Sequence, residues 1–244
     1  MRDALGAAIP GAGVGCAIAR GSLAQLARAS QGKPFAEESL TEDYELGLKI
    51  AQAGGKGRFL RVRTAEGRLV ATRAFFPALL DQAVRQKTRW MHGIALQGWD
   101  RLGWGRQPVD LWMQLRDRRG PLAAILLVIA YVLVCMIAVR LVLEHVGIAQ
   151  APPASPLLQA LLWLNLTGLL LRFMVRFCCT AREYGWQQGV LAIPRTFVSN
   201  IIAIIAGRRA FAAYIGTLRG APVVWDKTEH RDHPALVQRD GQVA

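Results

Sequence analysis

The sequence predicts a mainly α membrane protein: helices with one short hairpin, then an interfacial helix, then two or three membrane helices. Three observations predict it. Residues 121–139 form a nearly unbroken apolar run, long enough to cross the roughly 30 Å hydrocarbon core of a bilayer. A second apolar run, 156–171, follows, and 52% of the 244 residues are hydrophobic, more than soluble domains usually carry. The charges are ordered around these runs. Arg116, Arg118 and Arg119 precede the first, Arg172, Arg176 and Arg182 follow the second, and the joining stretch 144–155 has neither Lys nor Arg. Positive flanks face the cytoplasm, so the joining stretch faces out and residues before 116 lie inside. The plain alternative is a buried helical hairpin of a soluble protein.

The net charge of +13 admits nucleic acid, anionic lipid or phosphorylated substrates as partners. The basic residues flank apolar runs and no nucleic-acid module is present, which favours lipid and excludes nucleic acid. Cys16, Cys135, Cys178 and Cys179 show no zinc or Cys-x-x-Cys spacing and read as small apolar fillers. Met1-Arg2-Asp3 leads into a Gly/Ala loop, not into the apolar core of a signal peptide.

In chain order, Gly11, Gly13 and Gly15 permit the backbone to approach a ligand closely. Without a Gly-Lys-Ser/Thr they read as a tight turn into a short strand, Val14–Ala19, rather than as a phosphate loop. Ser22–Ala29 is expected as a helix capped by Ser22. The acidic segment Ala36–Ala53 is expected as a helix closed by Gly54-Gly55. Ser39 or Thr41 caps it, Glu42 and Asp43 sit in its first turn beside the positive end of the dipole, and Leu40, Tyr44, Leu46 and Leu48 anchor it. A carboxylate held rigidly there suits general-base work; two solvated acids at a capped helix start are the bland alternative.

Phe59–Val62 and Arg68–Thr72 read as a hairpin around Ala65-Glu66-Gly67. Phe75-Phe76-Pro77 opens a helix, Ala78–Gln97. On it Gln86, Arg89 and Trp90 share one face at i, i+3 and i+4. They offer an amide for hydroxyls, a fork for phosphate oxygens and a flat face for a sugar ring. With Trp99, Trp104 and Trp112 following, this region suits the membrane interface. A third apolar run, Gly189–Ala206, is broken by Pro194, Arg195 and Asn200. It reads as interfacial or re-entrant, with a third span as the alternative. In the tail, His230, His233, Asp226 and Asp232 lack the scaffold and fourth ligand that a metal site needs.

Ser-Leu-Thr-Glu-Asp-Tyr-Glu-Leu-Gly-Leu (39–48), followed by Arg-Gln-Lys-Thr-Arg-Trp-Met-His-Gly-Ile (85–94) and then by membrane segments, resembles the membrane-bound, processive family 2 glycosyltransferases of the cellulose- and hyaluronan-synthase type. Within them the wording is most similar to the bacterial branch called phage N4 adsorption protein B. The resemblance implies the C-terminal part of a GT-A α/β catalytic domain over residues 1–74 and an interfacial Gln-x-x-Arg-Trp region over 75–115. It implies a membrane region over 116–218 (spans near 121–141 and 156–178, an interfacial helix or third span near 189–206) and a cytoplasmic tail over 219–244. Asp43 would be the base, Glu42 would shape the helix start, and Gln86, Arg89 and Trp90 would bind substrate. Arg20, after Gly13 and Gly15, would line the acceptor side. Trp225 and Thr228 would gate the site.

The same resemblance implies a nucleotide-sugar donor, a glycan acceptor, a divalent metal (Mg or Mn) and the bacterial inner membrane, with an outer-membrane export partner. The family's metal-binding Asp-x-Asp occurs nowhere in this sequence. The expectation is therefore a truncated, split or fragmentary gene product that is inactive alone. The rival is a non-catalytic inner-membrane component of an envelope export or phage-adsorption complex.

Overall fold

The computed structural model describes residues 1–35, 38–67, 69–72, 77, 79–105, 107–148 and 155–222. They form two compact units, Met1–Ala123 with Ile205–Ala244, and Ala124–Ile204. The expected Trp225 and Thr228 gate and the tail histidines lie outside the described residues, as do Phe75 and Phe76.

In the first unit α1 (Arg20–Ala29) begins two residues earlier than expected, and Ala19, not Ser22, occupies its cap position without a side-chain bond. The stretch Val14–Ala19 is a bend followed by irregular chain rather than a strand. Gly13 and Gly15 take positive φ of 74° and 66°, which breaks an extended run. The acidic helix α2 is shorter than its segment, Glu42–Gln52, and stops at Gly54 with φ 85°, a left-handed exit that a side chain disfavours. The expected hairpin shrinks to one antiparallel bridge, Arg63–Leu69, with a Val70 N–H to Val62 carbonyl bond of 2.9 Å. Among the described residues nothing pairs with either arm to extend it, and Phe59 and Leu60 stay exposed.

Helix α3 (Leu80–Trp90) starts after Pro77 and carries the Gln-x-x-Arg-Trp face. It does not continue as one α-helix to Gln97. It widens into a π-helical segment, Met91–Gln97, in which the Gly98 N–H reaches back five residues to the Gly93 carbonyl. Helix α4 (Gly98–Leu102) follows, then α5 (Pro108–Arg118) with proline at its first turn. A small core gathers Tyr44, Leu48 and Leu102, with Ala8 and Ile94 against it. Helix α5 buries Met113, Gln114 and Arg118 and exposes Leu111, Trp112 and Leu115.

Among the described residues three helices are long and apolar enough to cross a membrane: α6 (Gly120–His145), α7 (Pro156–Tyr184) and α9 (Pro194–Leu218). At 1.5 Å per residue they measure about 39, 43 and 37 Å, each beyond the hydrocarbon thickness. Helix α6 buries only Ala124 and α7 buries nothing. Contiguous exposed apolar surface on that scale calls for lipid, so the chain is a mainly α membrane protein. The polar residues of α7 do not oppose this. Asn165 Nδ2 and Thr167 Oγ1 donate to the carbonyls of Leu161 and Trp163, one turn back on their own helix.

In the second unit Gly185 (φ 91°) turns the chain from α7 into α8 (Trp186–Ala192). Gly189 lets α8 lie on α7: a Cβ there would stand 2.9 Å from the Ala181 methyl and 3.0 Å from the Phe177 ring. Pro194 separates α8 from α9, where the sequence placed a break, but the apolar helix beyond it has 25 residues and is a full-length candidate span.

Candidate functional site around the start of the acidic helix

The site is built on the first turn of α2. Thr41 occupies the cap position but makes no capping bond. Its Oγ1 is buried without a hydrogen-bond partner and faces Gly93, where a Cβ would come within 2.6 Å of it. The π-helical segment can therefore press against the helix start only because Gly93 has no side chain. Gln97 Oε1 accepts the Leu40 N–H at 3.4 Å. These contacts tie the Ser39–Thr41 turn to the segment that directly follows Trp90.

Ser39 does the work that the sequence shared between two hydroxyls. Its Oγ accepts the Thr41 N–H (3.2 Å) and donates to Glu45 Oε1 (2.6 Å). Glu45 is 1% exposed and also accepts from Arg101 Nε at 3.0 Å, with Lys49 Nζ 3.4 Å from its other oxygen. Sequence reasoning missed Glu45. It singled out the adjacent pair Glu42 and Asp43, yet the acid that faces inward is the one a turn beyond Thr41. The i, i+4 spacing to Lys49 was the only local signal, because Arg101 lies 56 residues away. This clamp fixes the axis of α2 and leaves Glu42 and Asp43 half-buried at its tip.

Asp43 Oδ1 accepts the Tyr44 N–H at 2.9 Å, one of the helix-start donors that have no intrahelical partner. Its other oxygen lies under the glycine loop. A Cβ on Gly13 would sit 2.6 Å from Asp43 Oδ2, and one on Gly11 would sit 2.5 Å from the Asp43 carbonyl oxygen. On the same edge of the helix, a Cβ on Gly47 would meet the Gly11 nitrogen at 2.4 Å. The close approach expected toward a ligand is made here toward the protein itself: Gly11 and Gly13 meet the backbone and carboxylate at the start of α2, and Gly15 faces Thr72.

Tyr44, next to Asp43, points the opposite way into the core. Its hydroxyl donates to Asp117 Oδ2 at 2.8 Å, and Arg2 pairs with the same carboxylate and with the Met113 carbonyl. Burial, and then the negative charge of Asp117, push the Tyr44 phenol well above its ordinary range. Arg118 stacks over Trp104 at 4.4 Å and donates to the Gly98 carbonyl. These links hold α5 against α2 and α4.

The other site residues fall as follows. Gln86, Arg89 and Trp90 lie on α3, with Gln86 and Arg89 half-buried and Trp90 39% exposed. Burial draws the neighbouring Lys87 below its usual range. Arg20 is the exposed first residue of α1. His92 follows Trp90 by two residues. It is 5% exposed, its Nε2 has no hydrogen-bond partner, and burial lowers its pKa. Among the described residues no three His, Cys, Asp or Glu side chains come together as a metal site would need.

Comparison with known proteins matches residues 1–143 to the family described as "Glycosyl transferase family group 2". The chain is 28% identical, over 97% of its length, to "Bacteriophage adsorption protein B" of Escherichia coli strain K12, and equally to "Bacteriophage N4 adsorption protein B" of Escherichia coli O157:H7. It spans about a third of those relatives, 34% of each. No solved structure matches it.

Proposed function

Because the chain belongs to glycosyl transferase family group 2, we propose that it forms the acceptor-side and membrane part of an inverting enzyme. The reaction moves a sugar from a nucleotide-sugar onto a growing glycan. Residues 1–74 belong to the catalytic domain in this reading, 75–115 to the interface, 116–218 to the membrane and 219–244 to a tail. The site faces the cytoplasm across a bacterial inner membrane.

The observation that carries the reading is the setting of Asp43. A carboxylate at a helix start is held by its own neighbour's N–H, anchored from beneath by the Glu45–Arg101–Ser39 clamp, and approached from above by Gly11 and Gly13. Asp43 takes the proton from the acceptor hydroxyl. That oxygen attacks the anomeric carbon as the bond to the diphosphate breaks, which inverts the centre. Arg89 meets the charge that develops on the departing diphosphate, Trp90 offers a face to the acceptor sugar, and Gln86 and Arg20 position it. Glu42 adds negative potential beside the base.

Such enzymes call for Mg or Mn at the donor diphosphate. The residues present do not fit that ion: the sequence has no Asp-x-Asp, and the described acids do not cluster. The same observation favours a second reading, in which the chain is a non-catalytic inner-membrane component of an export or adsorption assembly with an outer-membrane partner.

The test is Asp43→Asn, made at the matching aspartate of a full-length relative, with sugar incorporation measured in membranes. The variant should fold and lose transfer; retained turnover refutes the base assignment.

A further inference from the structure

We infer that α7 carries a site for one anionic phospholipid, with its phosphate between Arg172 and Arg176 and an acyl chain along the apolar stripe below them. A shallow, open depression of about 610 Å³ lies along this one helix, lined by Gly168, Leu171, Arg172, Val175, Arg176, Cys179 and Thr180. Those positions recur at helical spacing, so they form one continuous stripe.

The stripe is polarised along its length. Gly168 is 12 residues from Pro156, about 18 Å along the axis, and Arg172 is 16 residues, about 24 Å. In a hydrocarbon core of roughly 30 Å the glycine lies near mid-bilayer and the arginines approach one interface. Gly168 meets no atom within 4 Å where a Cβ would stand, so the floor is open at the depth of an acyl chain. At the interface end Arg176 is not left to swing. Its Nη1 donates to Thr196 Oγ1 at 2.6 Å, which fixes one face of the guanidinium and leaves its other N–H groups for a ligand. Thr196 is in the first turn of α9, where the helix dipole is positive. Arg172 is exposed and can snorkel to the same level.

Charge complementarity selects the occupant. In the sequence, residues 124–204 hold the arginines Arg140, Arg172, Arg176, Arg182 and Arg195 against the acids Glu144 and Glu183. Arg140 takes Glu144 at 2.7 Å. A second copy of the chain laid on this stripe would bring the same arginine excess, five against two acids, onto two arginines. A lipid with a phosphate at interface depth and a tail at mid-bilayer depth meets the two arginines and the Gly168 end of the depression. A phosphate accepts two guanidiniums in fork geometry, and basic pockets at the cytoplasmic side of membrane helices select anionic headgroups.

The test uses the full chain in nonionic detergent. Phosphatidylglycerol or phosphatidylcholine is titrated in, and bound lipid is counted by native mass spectrometry. One phosphatidylglycerol should bind at least tenfold more tightly than phosphatidylcholine. Arg172→Gln should weaken it about fivefold and Arg172→Gln with Arg176→Gln about thirtyfold, the sizes expected for one and two basic residues near an anionic headgroup. Arg140→Gln should leave it unchanged. Replacing both residues by Lys, which keeps the charge and loses the fork, should retain most of the preference and shows that an altered stripe still folds. The inference is overturned by equal binding of the two lipids or by an unchanged preference in Arg172→Gln. It is overturned as well by selective binding of a polyisoprenyl phosphate without phosphatidylglycerol, or by a double variant that changes oligomeric mass and not lipid retention.

Discussion

Removing Arg101 should damage the protein more than removing Glu45, although the two are partners in one ion pair. Glu45 is 1% exposed, whereas the side chains of Arg101 and Lys49 keep 28% and 30% of their surface. Arg101→Ala strands a buried carboxylate with only the Ser39 hydroxyl at 2.6 Å and the Lys49 ammonium at 3.4 Å. Breaking a buried pair from this side costs about 3–5 kcal/mol; the two remaining partners place the loss at the low end, near ~3 kcal/mol. Glu45→Ala frees two cations that water already reaches. Their pairing is worth far less once screened, and the loss is about 1–2 kcal/mol, mostly for the Ser39 hydroxyl left in the core. For a chain of this size about 2–4 °C of melting temperature accompanies each kcal/mol. Arg101→Ala should therefore melt several degrees below Glu45→Ala when both are followed by near-ultraviolet circular dichroism in one detergent. In Glu45→Ala with Arg101→Ala, most of the Arg101→Ala loss should disappear, since the stranded charge is gone. Equal single losses, or a double variant that loses the sum of the two, would refute this account of how α2 is held.

Three further predictions concern the same unit. Gly11→Ala places a methyl 2.5 Å from the Asp43 carbonyl oxygen. It should cost about 1–3 kcal/mol as overpacking, whereas Gly21→Ala in α1 meets nothing within 4 Å and should leave the melting temperature level or slightly raised. His92 is held neutral by burial, so its folded pKa lies below the ordinary 6.5. Its contribution is present above that value and lost as pH falls toward the folded pKa; the melting temperature should drop below about pH 6.5, and His92→Gln should flatten the drop. Tyr44→Phe removes the bond to Asp117 and leaves that carboxylate with Arg2. It should cost about 1 kcal/mol and, because the raised phenol loses its stabilising effect above pH 10, should reduce the melting loss between pH 10 and 11.

The membrane helices were legible because lipid imposes one simple demand, an apolar run of sufficient length. Pro194 was correctly seen as a break, but a proline at a helix's first turn costs nothing, so the residues beyond it form a full 25-residue helix. The hairpin failed because alternating apolar residues mark a strand only when a neighbouring strand pairs with it. Among the described residues only the Arg63–Leu69 bridge does so. The placement of Asp43 in the first turn of α2 was readable from Ser-Leu-Thr-Glu-Asp and local capping rules. What pins that turn was not. Glu45 with Arg101, Thr41 against Gly93, and Gly13 over Asp43 are all contacts between residues far apart in sequence, and local spacing does not reveal which residues meet. The π-helical segment was equally hidden; through Gly93 it meets Thr41 and Leu40, far back in the chain.

The assignment of Asp43 as the base is tested most directly by sugar transfer in membranes containing a full-length relative, wild type against the Asp-to-Asn change at the position matching Asp43, with a panel of labelled nucleotide-sugars. The account predicts label in polymer for the wild type and none above background for the variant, with equal protein levels and unchanged melting. Full incorporation by the variant would contradict it, and a wild type that transfers from no donor would favour the non-catalytic reading.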